Sequence, residues 1–350
     1  MSTPSDPIAA AAAVPAGLDP RRLVALIRAA VERCQLDLTG QVVLTEAASG
    51  AYVVTPLLAA CAGADRVYAM TRSTAYGSAE AIAAETHALA ALAGVRDRIE
   101  IVTGRSAEIV SRADVITNSG HVRPIDAEMI GWMRPSAVIS LMYEAWEFRA
   151  GDVDLRACRE RGIRIGATDE RHPDVDVFSF LGVMAIKLLV DAHVAVYGSA
   201  ILLLCDNPFC AFIARTLRAA GATVDIASRL ADASARRRYD AILVSLTPQP
   251  APVVTAADAR DIAGQWPGAV VAQFWGDLDR GALAAVGVPV HPAKAPAAGH
   301  MAILPSAIGP EAVIRLQAGG LKAAELLRRG SRDAEHDCLQ PLDLLQAVHA

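Results

Sequence analysis

The sequence predicts an α/β protein of two doubly wound parallel sheets, each Rossmann-like, joined by a long helix. Three observations lead there. Short apolar runs alternate with helical patterns from Pro20 to Arg328, as in a parallel sheet covered by helices on both faces. The stretch Gly198–Arg229, GSAILLLCDNPFCAFIARTLRAAGATVDIASR, holds one complete repeat. Ala200–Leu204 suits a strand buried on both faces. A tight turn follows, then a helix over Phe209–Ala220 stopped by Gly221, then a strand over Ala222–Ala227. Third, 350 residues suffice for two domains, each burying its own core.

Taken in order, Pro20–Cys34 predicts an amphipathic helix with Leu23, Leu26, Ile27, Ala30 and Val31 on one face. Strands are predicted over Gln41–Thr45, Arg66–Thr71, Ile99–Val102, Ala113–Thr117, Ala137–Met142 and Ile163–Ala167, with helices over Tyr52–Ala62, Ser78–Leu92, Asp126–Met133 and Leu155–Arg161 between them. Asp176–Val196 reads as one long, mostly apolar helix. The second block continues with strands over Ala241–Leu246, Ala269–Phe274 and Val288–His291, and a final helix covers Glu311–Arg328. The expected division is a flexible leader over 1–19, an α/β domain over 20–174, a linking helix over 175–197, a second domain over 198–310, and a C-terminal helix and tail over 311–350. The tail is expected to pack on the body or on a second copy, which would make a homodimer.

Composition narrows the function classes. The chain is 53% hydrophobic with only 6 Phe, 6 Tyr and 4 Trp, an alanine-rich balance that suits closely packed helices on strands. The longest apolar stretch, Leu181–Leu204, is broken by Lys187, Asp191 and His193, so no membrane span is predicted. The N-terminus, MSTPSDPIAAAAAVPAG, has no basic region and early prolines, unlike a secretion signal. A net charge of −5 with only short arginine runs argues against nucleic acid. Six scattered cysteines without a C-x-x-C pair suit a reducing cytoplasm. No metal-ligand spacing, G-x-S-x-G or phosphate-loop motif occurs.

From Ala113 onward the order of segments resembles the D-2-hydroxyacid dehydrogenase (formate/glycerate dehydrogenase-like) superfamily. The matching pieces are ADVITNSGHVRPIDAEMIGWMRPSAVISL, GDVDLRACRERGIRIGATDE, FSFLGVMAIKLL, the strand-turn-helix unit at Gly198, and WGDLDRGALAAVGVPV. The resemblance covers roughly half to two-thirds of the chain. It implies two Rossmann-like domains, NAD or NADP as cofactor, and a small hydroxy, keto or amino-acid-like substrate in a cleft between them, in a biosynthetic enzyme.

The departures from the family are specific. The turn Cys205–Cys210 has no glycine, where G-x-G-x-x-G lets a backbone approach a pyrophosphate. Asp206 and Asn207 stand there as candidate cofactor contacts. Ser228-Arg229 replaces the usual acid after the second strand, which implies NADP rather than NAD. Phe274-Trp275 stands where the family has its catalytic arginine, and no acid occurs in Val288–Lys294. Of the family's proton-handling set, only a histidine remains, at His291 or His300.

Polar strand ends in the first block offer a second place for chemistry. Ser49 and Gly50 begin a helix and would present backbone N–H groups to an anion; the plain alternative is a capped turn. Arg72 and Tyr76 follow the second strand, suited to a phosphate and a flat ring, or to a simple polar loop. His121 and Arg123 follow the next, joining an imidazole to a cation. Tyr143, Glu144, Trp146 and Arg149 crowd one loop, where burial beside Trp146 would make Glu144 an acid or base. The catalytic candidates are His300, His121 and Glu144, with Arg123, Arg149, Tyr143 and Trp146 as substrate contacts. The cofactor candidates are Asp206, Asn207, Ser228, Arg229, Ser49, Gly50, Arg72 and Tyr76. The alternatives to a nicotinamide enzyme are an S-adenosylmethionine- or nucleotide-binding enzyme without hydride transfer, and a non-catalytic ligand-binding protein.

Overall fold

The computed structural model describes residues 15–234, 236–331 and 337–342. Most of the expected leader and the end of the expected tail lie outside them. Within them the chain divides into two compact units, one of Met1–Val175 with Gly309–Ala350 and one of Asp176–Ile308.

The first unit alternates helix and strand: α1 (Pro20–Arg33), β1 (Val42–Glu46), α2 (Val54–Cys61), β2 (Arg66–Met70), α3 (Ala79–Ala93), β3 (Ile99–Val102), α4 (Ala107–Arg112), β4 (Val115–Thr117), α5 (Ala127–Trp132), β5 (Val138–Ser140), α6 (Leu155–Arg161) and β6 (Arg164–Thr168). The second contains α7 (Leu181–Asp191), β7 (Ala200–Cys205), α8 (Phe209–Ala219), β8 (Thr223–Ala227), β9 (Ala241–Ser245), α9 (Ala256–Gln265), β10 (Val270–Trp275), α10 (Arg280–Ala285) and β11 (Val290–His291). The chain then returns to the first unit with α11 (Glu311–Arg329) and β12 (Leu339–Pro341).

The expected α/β class is the observed one. The first sheet has seven strands in the order β3-β2-β1-β4-β5-β6-β12, all parallel except β12. The second has five parallel strands in the order β8-β7-β9-β10-β11. Helix cover explains why the strands read as unbroken apolar runs: every residue of β9 is buried, as are Val43 and Leu44 in β1. The helices start where local chemistry directs. The Asp19 carboxylate accepts the N–H groups of Arg21 and Arg22 beside Pro20, and Ser78 caps α3, which ends at Gly94 with φ +76°.

Two elements differ from expectation, the long helix after β6 and the C-terminal strand β12. Asp176–Val196 is not a single helix; a short 3₁₀ turn at Phe178–Phe180 leads into α7, which stops at Asp191. Left-handed backbone at Asp176 (φ +48°) and His193 (φ +58°) closes both ends. The C-terminal segment adds β12 to the sheet edge in antiparallel register, Leu339 opposite Thr168. Among the described residues no helix is long and apolar enough to cross a membrane.

Candidate functional site

In an open parallel sheet, ligands sit at the carboxyl ends of the strands where the strand order reverses. In the first unit that point lies between β1 and β4. Glu46, the last residue of β1, is buried, and its carboxylate accepts the backbone N–H of His121 at 3.0 Å. Under it a chain of hydroxyls runs from Thr45 to Thr117 at 2.8 Å and on to Ser119 at 2.6 Å. Ser49 makes no side-chain cap to the helical turn that begins at Gly50. Gly50 has φ +64° and open space on its Cβ side, so the backbone there is open to a ligand.

One further polar group at these strand ends, Thr71 Oγ1 after β2, is buried without a hydrogen-bond partner, whereas the buried Asn118 after β4 hydrogen-bonds the Tyr143 phenol through its side-chain amide. Asn118 uses its other side-chain atom, Oδ1, to accept from Met142 N–H at 2.8 Å. His121 Nδ1 is also buried and unpartnered. Orphaned polar atoms are costly in folded proteins, and a ligand at these strand ends would give Thr71 and His121 partners; atoms of the same kind occur elsewhere, at Gln41, His87, Thr168 and Trp266. Arg72 lies exposed above the turn, with one long contact of 3.5 Å to Gly120 O.

The second half of the same sheet carries a second cluster. Tyr143 donates its phenol proton to Asp152 Oδ2 at 2.8 Å, and Arg123 pairs with the same oxygen at 2.9 Å. Burial, then the hydrogen bond to Asp152, pushes the Tyr143 phenol well above its usual range. Arg123 and Tyr143, read as substrate contacts, thus share a carboxylate that the sequence reading missed. No local signal marks Asp152, because its partners lie on the ends of two different strands.

Glu144 is buried beside Trp146, and its carboxylate is held by three neighbours. Trp146 Nε1 donates to Oε2 at 2.6 Å, Glu170 N–H donates to Oε1 at 3.1 Å, and Arg171 lies 3.7 Å away. Burial still raises its carboxyl. Glu147 and Glu170 stand close by. Burial pushes Glu147 up to about 7 and Glu170 well above the carboxylate range, with neighbouring carboxylates adding to both. Arg149 is exposed and partly offsets Glu147. This cluster clasps the loop after β5 to the loop after β6.

The second unit has a different switch point, between β7 and β9, and its own side chains bridge it. Asp206 Oδ1 accepts from Thr247 N–H at 2.8 Å and Thr247 Oγ1 at 3.0 Å. Asn207 Nδ2 donates to Ser245 O at 2.8 Å, and its Oδ1 caps Phe209 N–H. Arg229 forms an exposed double contact with Asp232, and Ser228 beside it is exposed. Trp275 stacks on Phe209 with ring centroids 5.3 Å apart. His300 is exposed, with Nδ1 3.0 Å from Ala298 O. The candidates therefore fall into two groups. Ser49, Gly50, Arg72, Tyr76, His121, Arg123, Tyr143, Glu144, Trp146 and Arg149 line the strand ends of the first unit. Asp206, Asn207, Ser228, Arg229 and His300 belong to the second. Among the described residues no cluster of three or more His, Cys, Asp or Glu suits a metal ion.

No family model and no curated protein sequence matches the chain. Solved structures do match its fold. Dipicolinate synthase from Bacillus halodurans aligns with 13% identity and a TM-score of 0.53, over 81% of this chain and 96% of that one. Dipicolinate synthase from Bacillus subtilis aligns with 13% identity and a TM-score of 0.52, over 84% and 98%. A more distant match is the NAD-dependent formate dehydrogenase from Staphylococcus aureus, solved with NAD, at 14% identity and a TM-score of 0.43, over 84% and 97%. The two dipicolinate synthase structures share the fold of this chain, an α/β arrangement of two Rossmann-like units.

Proposed function

We propose that this chain is an NAD(P)-dependent oxidoreductase-like enzyme for a small polar hydroxy, keto or amino-acid-like substrate, with the dinucleotide held by the first unit. The strand order carries this reading. Order 3-2-1-4-5-6 is that of sheets that bind dinucleotides, whereas 2-1-3-4-5 is the flavodoxin-like order. The first sheet has the former and the second sheet the latter. The orphaned Thr71 hydroxyl and the open Gly50 turn fit a nucleotide at the same place.

Bound there, the cofactor would supply the hydride chemistry. The chain's own residues would then divide the remaining work. The Gly50 turn offers backbone N–H groups to phosphate oxygens. Arg123 holds a substrate carboxylate, in exchange for part of its bond to Asp152. Tyr143, whose one phenol proton goes to Asp152, offers its oxygen as an acceptor to a substrate hydroxyl or amine, and His121 moves the proton at its unpartnered Nδ1. Glu144 fixes the loop rather than acting on substrate.

Glu46 favours a second reading. A carboxylate at the end of β1 is unfavourable for a diphosphate and favourable for a cation such as the sulfonium of S-adenosylmethionine. Thermal denaturation with NADPH, NADH or S-adenosylmethionine separates the two. A ligand at a hundredfold excess over its Kd stabilises by about 2.7 kcal/mol. A rise with a nicotinamide nucleotide supports the oxidoreductase. No rise with either at about 1 mM overturns it, and a rise with S-adenosylmethionine alone selects the second reading.

A further inference from the structure

Beyond the class of cofactor, the loop between β2 and α3 bears on which dinucleotide fits. It runs Thr71-Arg72-Ser73-Thr74-Ala75-Tyr76-Gly77-Ser78 and contains no acid; the first carboxylate after it is Glu80, inside α3. In sheets of this order the residue after the second strand meets the adenosine ribose. An acid there binds the 2′-hydroxyl, and an arginine accommodates a 2′-phosphate. The loop is braced by its own bonds. Thr74 and Gly77 exchange backbone hydrogen bonds at 2.9 and 3.3 Å, Tyr76 N–H donates to Thr74 Oγ1, and Ala79 N–H donates to Ser73 Oγ.

Two side chains on this braced loop are left without strong partners. Among the described residues no carboxylate pairs with Arg72, whose one hydrogen bond is the 3.5 Å contact to the neutral Gly120 O. Tyr76 is 86% exposed, an uncommon position for a large ring on an ordered turn. Thr71 Oγ1, at the root of the loop, is buried and unpartnered. Arg229 holds the corresponding place after the second strand of the other unit, but it is bound to Asp232 through two contacts.

We infer that the β2–α3 loop reads an adenosine 2′-phosphate, with Arg72 on the phosphate and Tyr76 on the adenine face, so that the cofactor is NADP rather than NAD. This rests on the oxidoreductase reading for the identity of the full cofactor, but not for the adenosine end. A guanidinium pairs with phosphate through two parallel bonds, which outcompete a single long contact to a carbonyl. A ring with an open face stacks on adenine at little conformational cost.

The test uses the full chain and two probes that carry no nicotinamide, adenosine 2′,5′-bisphosphate and 5′-ADP, titrated by calorimetry. The bisphosphate is expected to bind at least about tenfold tighter than 5′-ADP, the scale of one charge-assisted bond. Arg72→Ala removes that preference, Arg72→Lys keeps part of it, and Arg229→Ala leaves it unchanged. Tyr76→Ala weakens both probes alike. Equal affinities in the unmodified chain, no binding of either probe, or loss of the preference in Arg229→Ala instead of Arg72→Ala overturns the inference. Retention of the preference without hydride transfer from NADPH to any keto acid sinks the oxidoreductase reading and leaves the loop assignment standing.

Discussion

The Glu46 carboxylate accepts the His121 backbone N–H at 3.0 Å, tying the end of β1 to the loop after β4. The bond spans the point where the strand order reverses, so the two halves of the candidate site are fastened by a charged group. Glu46→Ala leaves a partly buried N–H without its acceptor and costs about 1–3 kcal/mol. Glu46→Gln keeps an acceptor oxygen and costs less. Chemical denaturation of the two variants should show that order; equal stabilities would remove the bond from the account.

Glu147 gives the fold a defined pH response. Its carboxyl is held at about 7 in the folded chain against an ordinary value of 4.5, through burial and the nearby Glu144 carboxylate, with Arg149 opposing. Glu170, which faces it from the loop after β6 with Asp169, shifts in the same direction. A raised folded value means that the folded state binds more protons than the unfolded one. The associated stability is complete below the ordinary value and is lost as pH rises toward the folded value. Glu147→Gln removes that loss. Its Tm should exceed that of the unmodified chain at about pH 8, with little difference at about pH 5. A chain of 350 residues shifts by roughly 1–2 °C per kcal/mol. The same difference at both pH values would show that Glu147 does not titrate in this range.

Much of this architecture was legible because buried parallel strands are unbroken apolar runs. Ala200–Cys205 and Ala241–Ser245 are such runs. Sheet order was not legible, since an apolar run says nothing about which strand lies beside it. That is why the sequence offers cofactor candidates in both units, at Ser49, Gly50, Arg72 and Tyr76 as well as at Asp206, Asn207, Ser228 and Arg229, while the 3-2-1-4-5-6 order belongs to the first unit. β12 was missed because Leu339-Gln340-Pro341 is too short and too polar to stand out. In the site, Glu144 and Trp146 are two residues apart and could be paired by eye. Tyr143, Arg123 and Asp152 meet only because β4 and β5 are neighbours.

Gly319 and Gly320 set how closely α11 approaches β5 and β6. A Cβ on Gly319 would lie 2.8 Å from Thr168 Oγ1 and from Val175 Cγ1, and 2.9 Å from Val175 Cγ2. Both neighbours are β-branched and cannot swing aside freely. An exposed helical Gly→Ala change would gain roughly 1 kcal/mol. Here overpacking reverses the sign, and Gly319→Ala should cost about 1–3 kcal/mol. A raised Tm in this variant would mean that α11 packs more loosely than its contacts indicate.

Asp152 serves both Tyr143 and Arg123, so Asp152→Asn separates their roles. The neutral amide still accepts from the Tyr143 phenol but no longer opposes its ionisation by charge. Tyr143 should then titrate at lower pH than in the unmodified chain, although burial, the largest cause of its shift, remains. Ultraviolet difference spectroscopy of tyrosinate, with Tyr143→Phe to assign the signal, reads this directly. Arg123 loses its ion pair and becomes a free cation beside the strand ends. On the proposed function its hold on a substrate carboxylate tightens, so KM falls, while a less well oriented phenol lowers kcat. A fall in kcat with KM unchanged would place Arg123 outside the substrate contacts. An unmoved tyrosinate titration would break the link between Tyr143 and Asp152 on which the second half of the site is built.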